Sequence, residues 1–286
     1  MTVISGLLVV NKPKGITSRD VVNEVSKIFK TKKIGHTGTL DPIATGVLVL
    51  TINKATKLSE IITSEEKIYQ AEVILGIKTD TLDITGNILE KCNTNYTKED
   101  IVNTLNSFIG TYNQEVPIYS AVKINGKKLY EYARNNEEVT LPKRMVTIKE
   151  IKLDELNYID NKTIFKFTCK VSKGTYIRSL INDIATKLNT IGTMKNLIRI
   201  EQGDFNIKDS YTLDDIKNNN FKIISIKEAL KDYFTVKVDE KLRFKIVNGQ
   251  VLDDIYNQEY VLFIDDDVIG LYKRDKNKLK PYKMFK

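Results

Sequence analysis

The chain has 286 residues, 41% of them hydrophobic, a formal net charge of +8, two cysteines and a single histidine. This length holds about two domains, and its longest apolar runs, residues 6–10 and 47–52, are far shorter than the roughly 20 residues that cross a bilayer. Cys92 and Cys169 far apart and His36 alone argue against a disulfide framework, a metal site and a Ser-His-Asp triad.

No GxxxxGK[ST] loop is present, which disfavours a P-loop nucleotide site. No basic segment precedes an apolar stretch at the start, so a secretory leader is not expected. A soluble cytoplasmic protein is the expectation.

In chain order, residues 6–10 read as a short buried strand entering the Asn11-Lys12-Pro13 turn. Thr17 and Asp20 form a capping-box pattern ahead of Val21, Val22, Val25, Ile28 and Phe29 at helical spacing. Next comes GHTGTLDPIATG, residues 35–46, with three glycines, three threonines, the histidine and one carboxylate. Its glycines supply backbone freedom, and Pro42 pushes Asp41 toward an extended conformation. Alone, it reads either as a glycine turn with a capping Asp or as a loop holding a nucleophile or base. It stands at the mouth of a strand, 47–52.

Residues 68–75 read as a further strand, ending in Gly76 and the polar turn TDTLDITG, where Asp80 and Asp83 are expected as structural caps. Thr97 with Asp100 caps a helix carrying Ile101, Val102, Leu105 and Phe108, with Gly110 closing it. Residues 111–149 look irregular and rich in Tyr and Lys. Within them, 120–124 reads as a strand, Asn125-Gly126 as a turn, 127–134 as a brief helix and 135–143 as a mobile connection.

Strand character resumes at 146–153 and 163–171. SKGTYIRSL then opens a helix carrying Ile177, Leu180, Ile181, Ile184 and Leu188. Residues 195–200 form another short strand, and Ser225 with Glu228 starts a small helix ending near Asp232. From Tyr233 onward short strands and turns suggest a second, small β-rich domain. Strands broken by single helices, without βαβ alternation, predict an α+β fold around a mixed, largely antiparallel sheet.

Residues 271–286 hold seven basic side chains against one acid, so +6 of the +8 lies in this tail. A second basic stretch runs over 123–149. Such concentrations fit a polyanion partner, most often nucleic acid, or a solvated lysine-rich surface.

Four segments join the glycine loop: NKPKGITS (11–18), KIYQAEVILGIKTDTLDITG (67–86), YSAVKINGKKLYEYAR (119–134) and SKGTYIRSLINDIA (172–185). Together, in this order, they closely resemble the bacterial TruB family of tRNA pseudouridine-55 synthases, over about residues 6–205. LKPYKMF (279–285) more faintly resembles the end of a PUA domain. The resemblance implies a pseudouridine synthase domain over 1–232, its sheet flanked by helices along a cleft, and a PUA-like RNA-binding domain over 233–286. It implies action on uridine 55 in the T-loop of tRNA, without metal or cofactor. A monomer is expected, because no extended apolar surface stripe is evident.

Site residues follow by position. Asp41 matches the catalytic aspartate, Arg178 the arginine that pairs with it, and Tyr69 the tyrosine that stacks on the target base. Tyr176 matches a pocket tyrosine, His36 the loop histidine associated with flipped-out nucleotides, and Lys12 with Pro13 the KP motif beside the cleft. Leu197 and Arg199 lie in Leu-Ile-Arg, where family members often carry Leu-Arg-Arg. Leu197 is expected in the substrate pocket and Arg199 on the RNA backbone, with one positive charge fewer. Lys123, Lys127, Lys128, Lys143 and Arg144 lie where the family has a flexible element closing over the T-stem. They are expected on phosphates.

The chemistry accounts for these residue types. Forming pseudouridine breaks the N1–C1′ bond, turns the uracil and rejoins it through C5. The base must leave its stack at a cost of a few kcal/mol, which aromatic stacking offsets. A charged aspartate in the pocket needs a compensating arginine. Two other readings compete: a non-catalytic tRNA-binding protein or folding chaperone on the same fold, and a carboxylate-dependent hydrolase of small nucleosides. Asp41, Tyr69 and Arg178 together speak against the first. The hydrolase leaves the basic tail unexplained.

Overall fold

The computed structural model describes residues 4–63 and 65–286. The chain opens with β1 (Gly6–Lys12), α1 (Ser18–Phe29), β2 (Ile34–His36) and β3 (Thr45–Ile52). The capping box at α1 is formed: Asp20 N–H donates to Thr17 Oγ1, and Thr17 N–H to Asp20. A 3-10 turn over 53–58 leads into α2 (Ser59–Thr63) and β4 (Lys67–Leu75). The short hairpin β5 (Ile77–Thr79) and β6 (Ile88–Lys91) brackets the TDTLDITG turn.

A second capping box starts α3 (Lys98–Asn106), which is followed by β7 (Gly110–Glu115). Then come β8 (Lys123–Ile124), β9 (Lys127–Lys128), α4 (Leu129–Arg134), β10 (Lys143–Ile159), β11 (Lys162–Val171) and α5 (Ile177–Lys187). The first region ends with β12 (Gly192–Gln202), β13 (Phe205–Asn206), α6 (Leu213–Lys217) and α7 (Ile226–Ala229). The tail holds β14 (Phe234–Lys237), α8 (Glu240–Val247), β15 (Leu252–Asp253), β16 (Tyr260–Ile264), β17 (Val268–Asp275) and β18 (Lys278–Met284).

The fold is α+β, built on a mixed sheet in the order β1-β3-β12-β4-β11-β10-β7, with β2 on β3 and β13 on β12. Every pairing is antiparallel except β3 with β12, joined through Ile198↔Thr45 and Arg199↔Gly46. A second sheet, β14-β16-β17-β18-β15, gathers the tail strands.

Period-two alternation explains how the layers pack. Leu8, Val10, Leu48 and Leu50 face one side with Ala71, Val73, Phe165 and Phe167, beneath Val21, Val25, Ile181 and Ile184 of α1 and α5. Leu7, Val9, Val47 and Val49 face the other side and meet Leu262, Val268, Leu271 and Phe285. Because β1 and β3 are covered on both faces, they read as continuous apolar runs. β4 alternates buried with half-exposed residues along its length. Its outward Gln70 and Glu72 meet Asp154 and Lys195 across the open face.

Several expectations change. The glycine segment is paired at both ends, so the free loop spans only 37–44. Residues 110–115 form a strand, and Gly110 starts it instead of closing α3. The strand expected at 120–124 shrinks to β8, and Asn125 and Gly126, with φ of 51° and 81°, turn it into β9. β10 runs for 17 residues because two register shifts accommodate it along β11. Helix α8 interrupts the tail strands.

Candidate active site

The loop 37–44 leaves β2, passes the N-terminal end of α1 at Ser18 and returns into β3. Gly38 and Gly46 both take φ of +98°, in the left-handed region that glycine enters without penalty. At Gly46 a Cβ would stand 2.2 Å from the Arg199 carbonyl oxygen, so the parallel β3–β12 contact itself requires glycine there.

Each turn of the loop is tied down. Ser18 Oγ accepts from Leu40 N–H at 2.9 Å and donates to Leu40 O at 3.1 Å. Gly15 N–H donates to Pro42 O at 2.8 Å. Lys12, 0% exposed, donates from Nζ to Ile16 O at 2.6 Å, Pro13 O at 2.9 Å and Pro42 O at 3.3 Å. Burial lowers this ammonium to about 8, opposed by the negative charge of Asp41. The expectation that Lys12 meets substrate is therefore corrected. Three carbonyls enclose its ammonium, and it holds the floor of the loop.

These ties present Asp41 at the loop tip, its side chain 34% exposed. Arg178, 4% exposed, lies in the first turn of α5. Its Nε stands 2.9 Å from Asp41 Oδ2 and its Nη2 3.3 Å from Oδ1, a two-pronged contact. The remaining donors reach Thr81 O and Tyr119 O, both at 2.9 Å. The arginine is thus oriented by backbone from two other segments, which aims the carboxylate outward.

Thr81 is itself fixed. Buried Asp83 accepts from Thr81 Oγ1 at 3.1 Å, Thr85 N–H at 2.9 Å and Thr85 Oγ1 at 2.5 Å. Asp83 is a structural cap, as its place in the turn suggested, and the turn it caps orients Arg178. On the far side buried Gln114 grips the residue before α5. Its amide accepts from Tyr176 N–H at 2.8 Å and donates to Tyr176 O at 3.1 Å. Ser18 and Gln114 were not singled out from the sequence. They act through side-chain-to-backbone bonds that leave no spacing pattern.

Around this centre, Tyr69 on β4 lies opposite Arg199 of β12, both largely buried. Leu197, one alternation away, is buried in the core. The half-buried Tyr176 ring lies under the Arg144 guanidinium, 5.6 Å from its carbon. His36 ends β2, half-buried, with Nδ1 enclosed and unpartnered. Burial, then the charges of Arg19 and Arg199, hold its imidazole below the ordinary value, so it is neutral at pH 7.

Lys123 and Lys143 are exposed. Lys127 donates to both carboxylate oxygens of Glu137 at 2.6 Å, and Lys128 to Tyr130 Oη at 3.2 Å. Arg199 needs the larger correction. It is 1% exposed, with Nε on Val47 O at 2.6 Å and Nη2 on Gly38 O at 2.9 Å, so it offers no surface to a phosphate.

Among the described residues, no cluster of His, Cys, Asp and Glu could hold a metal ion, and no helix is long and apolar enough to cross a membrane. What the geometry offers is an aimed, partly exposed carboxylate with a buried arginine behind it.

Residues 26–177 match the TruB family pseudouridylate synthase N-terminal domain. The chain is 43% identical over 98% of its length, and 99% of the relative's, to tRNA pseudouridine synthase B of Staphylococcus aureus strain MSSA476. It is 42% identical over the same shares to the protein of that name from strain JH9. Two solved structures share the fold. One, an H/ACA ribonucleoprotein bound to a substrate RNA containing 2′-deoxyuridine, has a TM-score of 0.72 at 22% identity over 98% of this chain and 85% of that one. The other, a Cbf5–Nop10–Gar1 complex, gives 0.71 at 23% identity over the same shares.

Proposed function

We propose a specific reaction for a chain that belongs to the TruB family of pseudouridylate synthases and is a tRNA pseudouridine synthase: the isomerisation of uridine 55 in the T-loop of tRNA. The observation that carries the reading is the two-pronged Asp41–Arg178 pair at the tip of a tethered loop. A base stacked inside a folded T-loop is out of reach of such a carboxylate, so the enzyme extrudes it.

The largely buried Tyr69 and the half-buried Tyr176 supply aromatic surfaces for the extruded uracil. His36, neutral at pH 7, fills space near the loop without adding charge. Asp41 then acts on the nucleotide, by attack at C1′, by attack at C6 or by assisting cleavage to a glycal. Each route needs the carboxylate fixed, and the two-pronged contact from Arg178 fixes it. After the uracil turns and C5 joins C1′, the C5 proton must leave. The Tyr69 hydroxyl is the group we assign to carry it.

Lys123, Lys143 and Arg144 meet T-stem phosphates in this reading, with Lys127 and Lys128 following once Glu137 and Tyr130 release them. Residues 233–286 act as a PUA-like RNA-binding domain beside a catalytic domain of residues 1–232, in a cytoplasmic monomer.

The test is tritium release from unmodified tRNA transcript labelled at uridine C5. Wild-type protein releases the label and Asp41→Asn does not, while both still bind tRNA. Tight binding with no release by the wild type would move the assignment to a tRNA-binding protein or chaperone. Tyr69→Phe rejoins the base but loses the C5 proton slowly; loss at the wild-type rate would remove the tyrosine from that step.

A further inference from the structure

β12 runs beneath the catalytic loop, and two of its side chains reach up into it. Arg199 donates to Gly38 O from Nη2 and to Val47 O from Nε, and its Nη1 stands 3.5 Å from Tyr69 Oη. Gln202 Nε2 donates to Thr37 Oγ1 at 2.7 Å and to Ile62 O at 3.3 Å. Three residues apart on a regular strand, these side chains would point to opposite faces. The register shift between Arg199 and Glu201 against β4 turns Gln202 to the same side.

Gly38 and Val47 flank the segment that carries Asp41. One guanidinium therefore spans the base of the loop and closes it. Its fit is tight: a Cβ on Gly38 would lie 3.3 Å from Arg199 Nη1. Among the described residues no carboxylate lies within ion-pair distance of this buried charge, so its donors are devoted to carbonyls and a phenol.

We propose that Arg199 is a positioning residue for the reaction, a buried clasp that holds the Asp41 loop and the Tyr69 hydroxyl in one register, and that it does not bind RNA. This rests on Asp41 being the catalytic carboxylate. A lysine keeps the charge but cannot reach three acceptors in three directions.

The experiment compares full-length wild type, Arg199→Lys, Arg199→Met and Gly38→Ala. It measures the single-turnover rate of C5 tritium release and the tRNA dissociation constant across a salt series. A clasp predicts that Arg199→Lys loses at least 10-fold and Arg199→Met at least 30-fold in rate. Affinity and its salt slope stay within twofold of the wild type.

A phosphate contact predicts instead weaker binding and a salt slope smaller by about 0.7 to 0.9, which would overturn the proposal. So would an Arg199→Lys rate equal to the wild type. Gly38→Ala disturbs the same contact and, at φ of +98°, the loop backbone as well, so it should lower the rate while leaving affinity and salt slope within twofold; an unchanged rate would count against the clasp. If Arg199→Met does not fold, the lysine and alanine variants carry the test. A wild type that releases no tritium would refute the synthase reading itself, a result separate from any failure of the clasp.

Discussion

Replacing Arg178 with methionine removes two contacts to Asp41 and two to backbone carbonyls, at Thr81 and Tyr119. A hydrogen bond to a charged group contributes about 1.5–3 kcal/mol. With Asp41 34% exposed, water recovers part of each, so the lower figure applies and the two carboxylate contacts together come to about 3 kcal/mol. At 1.36 kcal/mol per tenfold, the single-turnover rate falls about 150-fold. Arg178→Lys keeps the charge but offers one ammonium to one oxygen, so about half the effect remains, on the order of 10-fold. Arg178 is 4% exposed, so tRNA affinity should stay within about twofold in both variants. The assay is C5 tritium release under enzyme excess, with filter binding of the same transcript. A lysine variant within threefold of the wild type, or a methionine variant that loses affinity in place of rate, would refute this reasoning.

Lys12 titrates at about 8 in the folded protein against an ordinary 10.5. Between those values the unfolded chain binds more protons, so the wild type gains stability as pH rises from 8 toward 10. Relative to Lys12→Met, urea melts should show a gain of up to about 1.4 kcal/mol per pH unit there. Gly46→Ala sets a Cβ 2.2 Å from the Arg199 carbonyl oxygen, whereas Gly15→Ala, with φ of +93°, meets nothing within 4 Å. Thermal melts should give a cost above roughly 3 kcal/mol for the first and about 1–2 for the second; equal costs would contradict the close approach of β3 and β12. Phe285→Ala opens the shared layer between the sheets. It should cost about 3–5 kcal/mol while leaving one cooperative transition, so two separated transitions would disprove a common core.

Local chemistry made much of this fold readable in advance. Capping boxes at Thr17 and Thr97 marked two helix starts because side-chain oxygens must meet unpaired N–H groups. Strand β11 showed itself by Phe165, Phe167 and Cys169 on one face. Strand β7, reading GTYNQE, did not, because it is the last strand of its sheet and buries only Gln114 and part of Tyr112. Asp41 and Arg178 lie far apart in sequence, and only the family resemblance joined them. The burial of Lys12 and Arg199 was hidden because a basic side chain on paper looks solvated. Each is enclosed by carbonyl oxygens that only the folded loop assembles.

The apolar layer shared by the two sheets also bears on how the chain is made. Leu7 and Val9 leave the ribosome well before their partners Leu262, Leu271 and Phe285, which follow about 250 residues or more later. At 5–20 residues per second, that interval is roughly 10 to 50 seconds, long beside the time a small domain takes to fold. Through that period this side of β1 and β3 is covered only by earlier neighbours such as Leu58 and Ile62, and part of its apolar surface stays open. Slow translation of the tail lengthens the time for which that surface lacks its final cover.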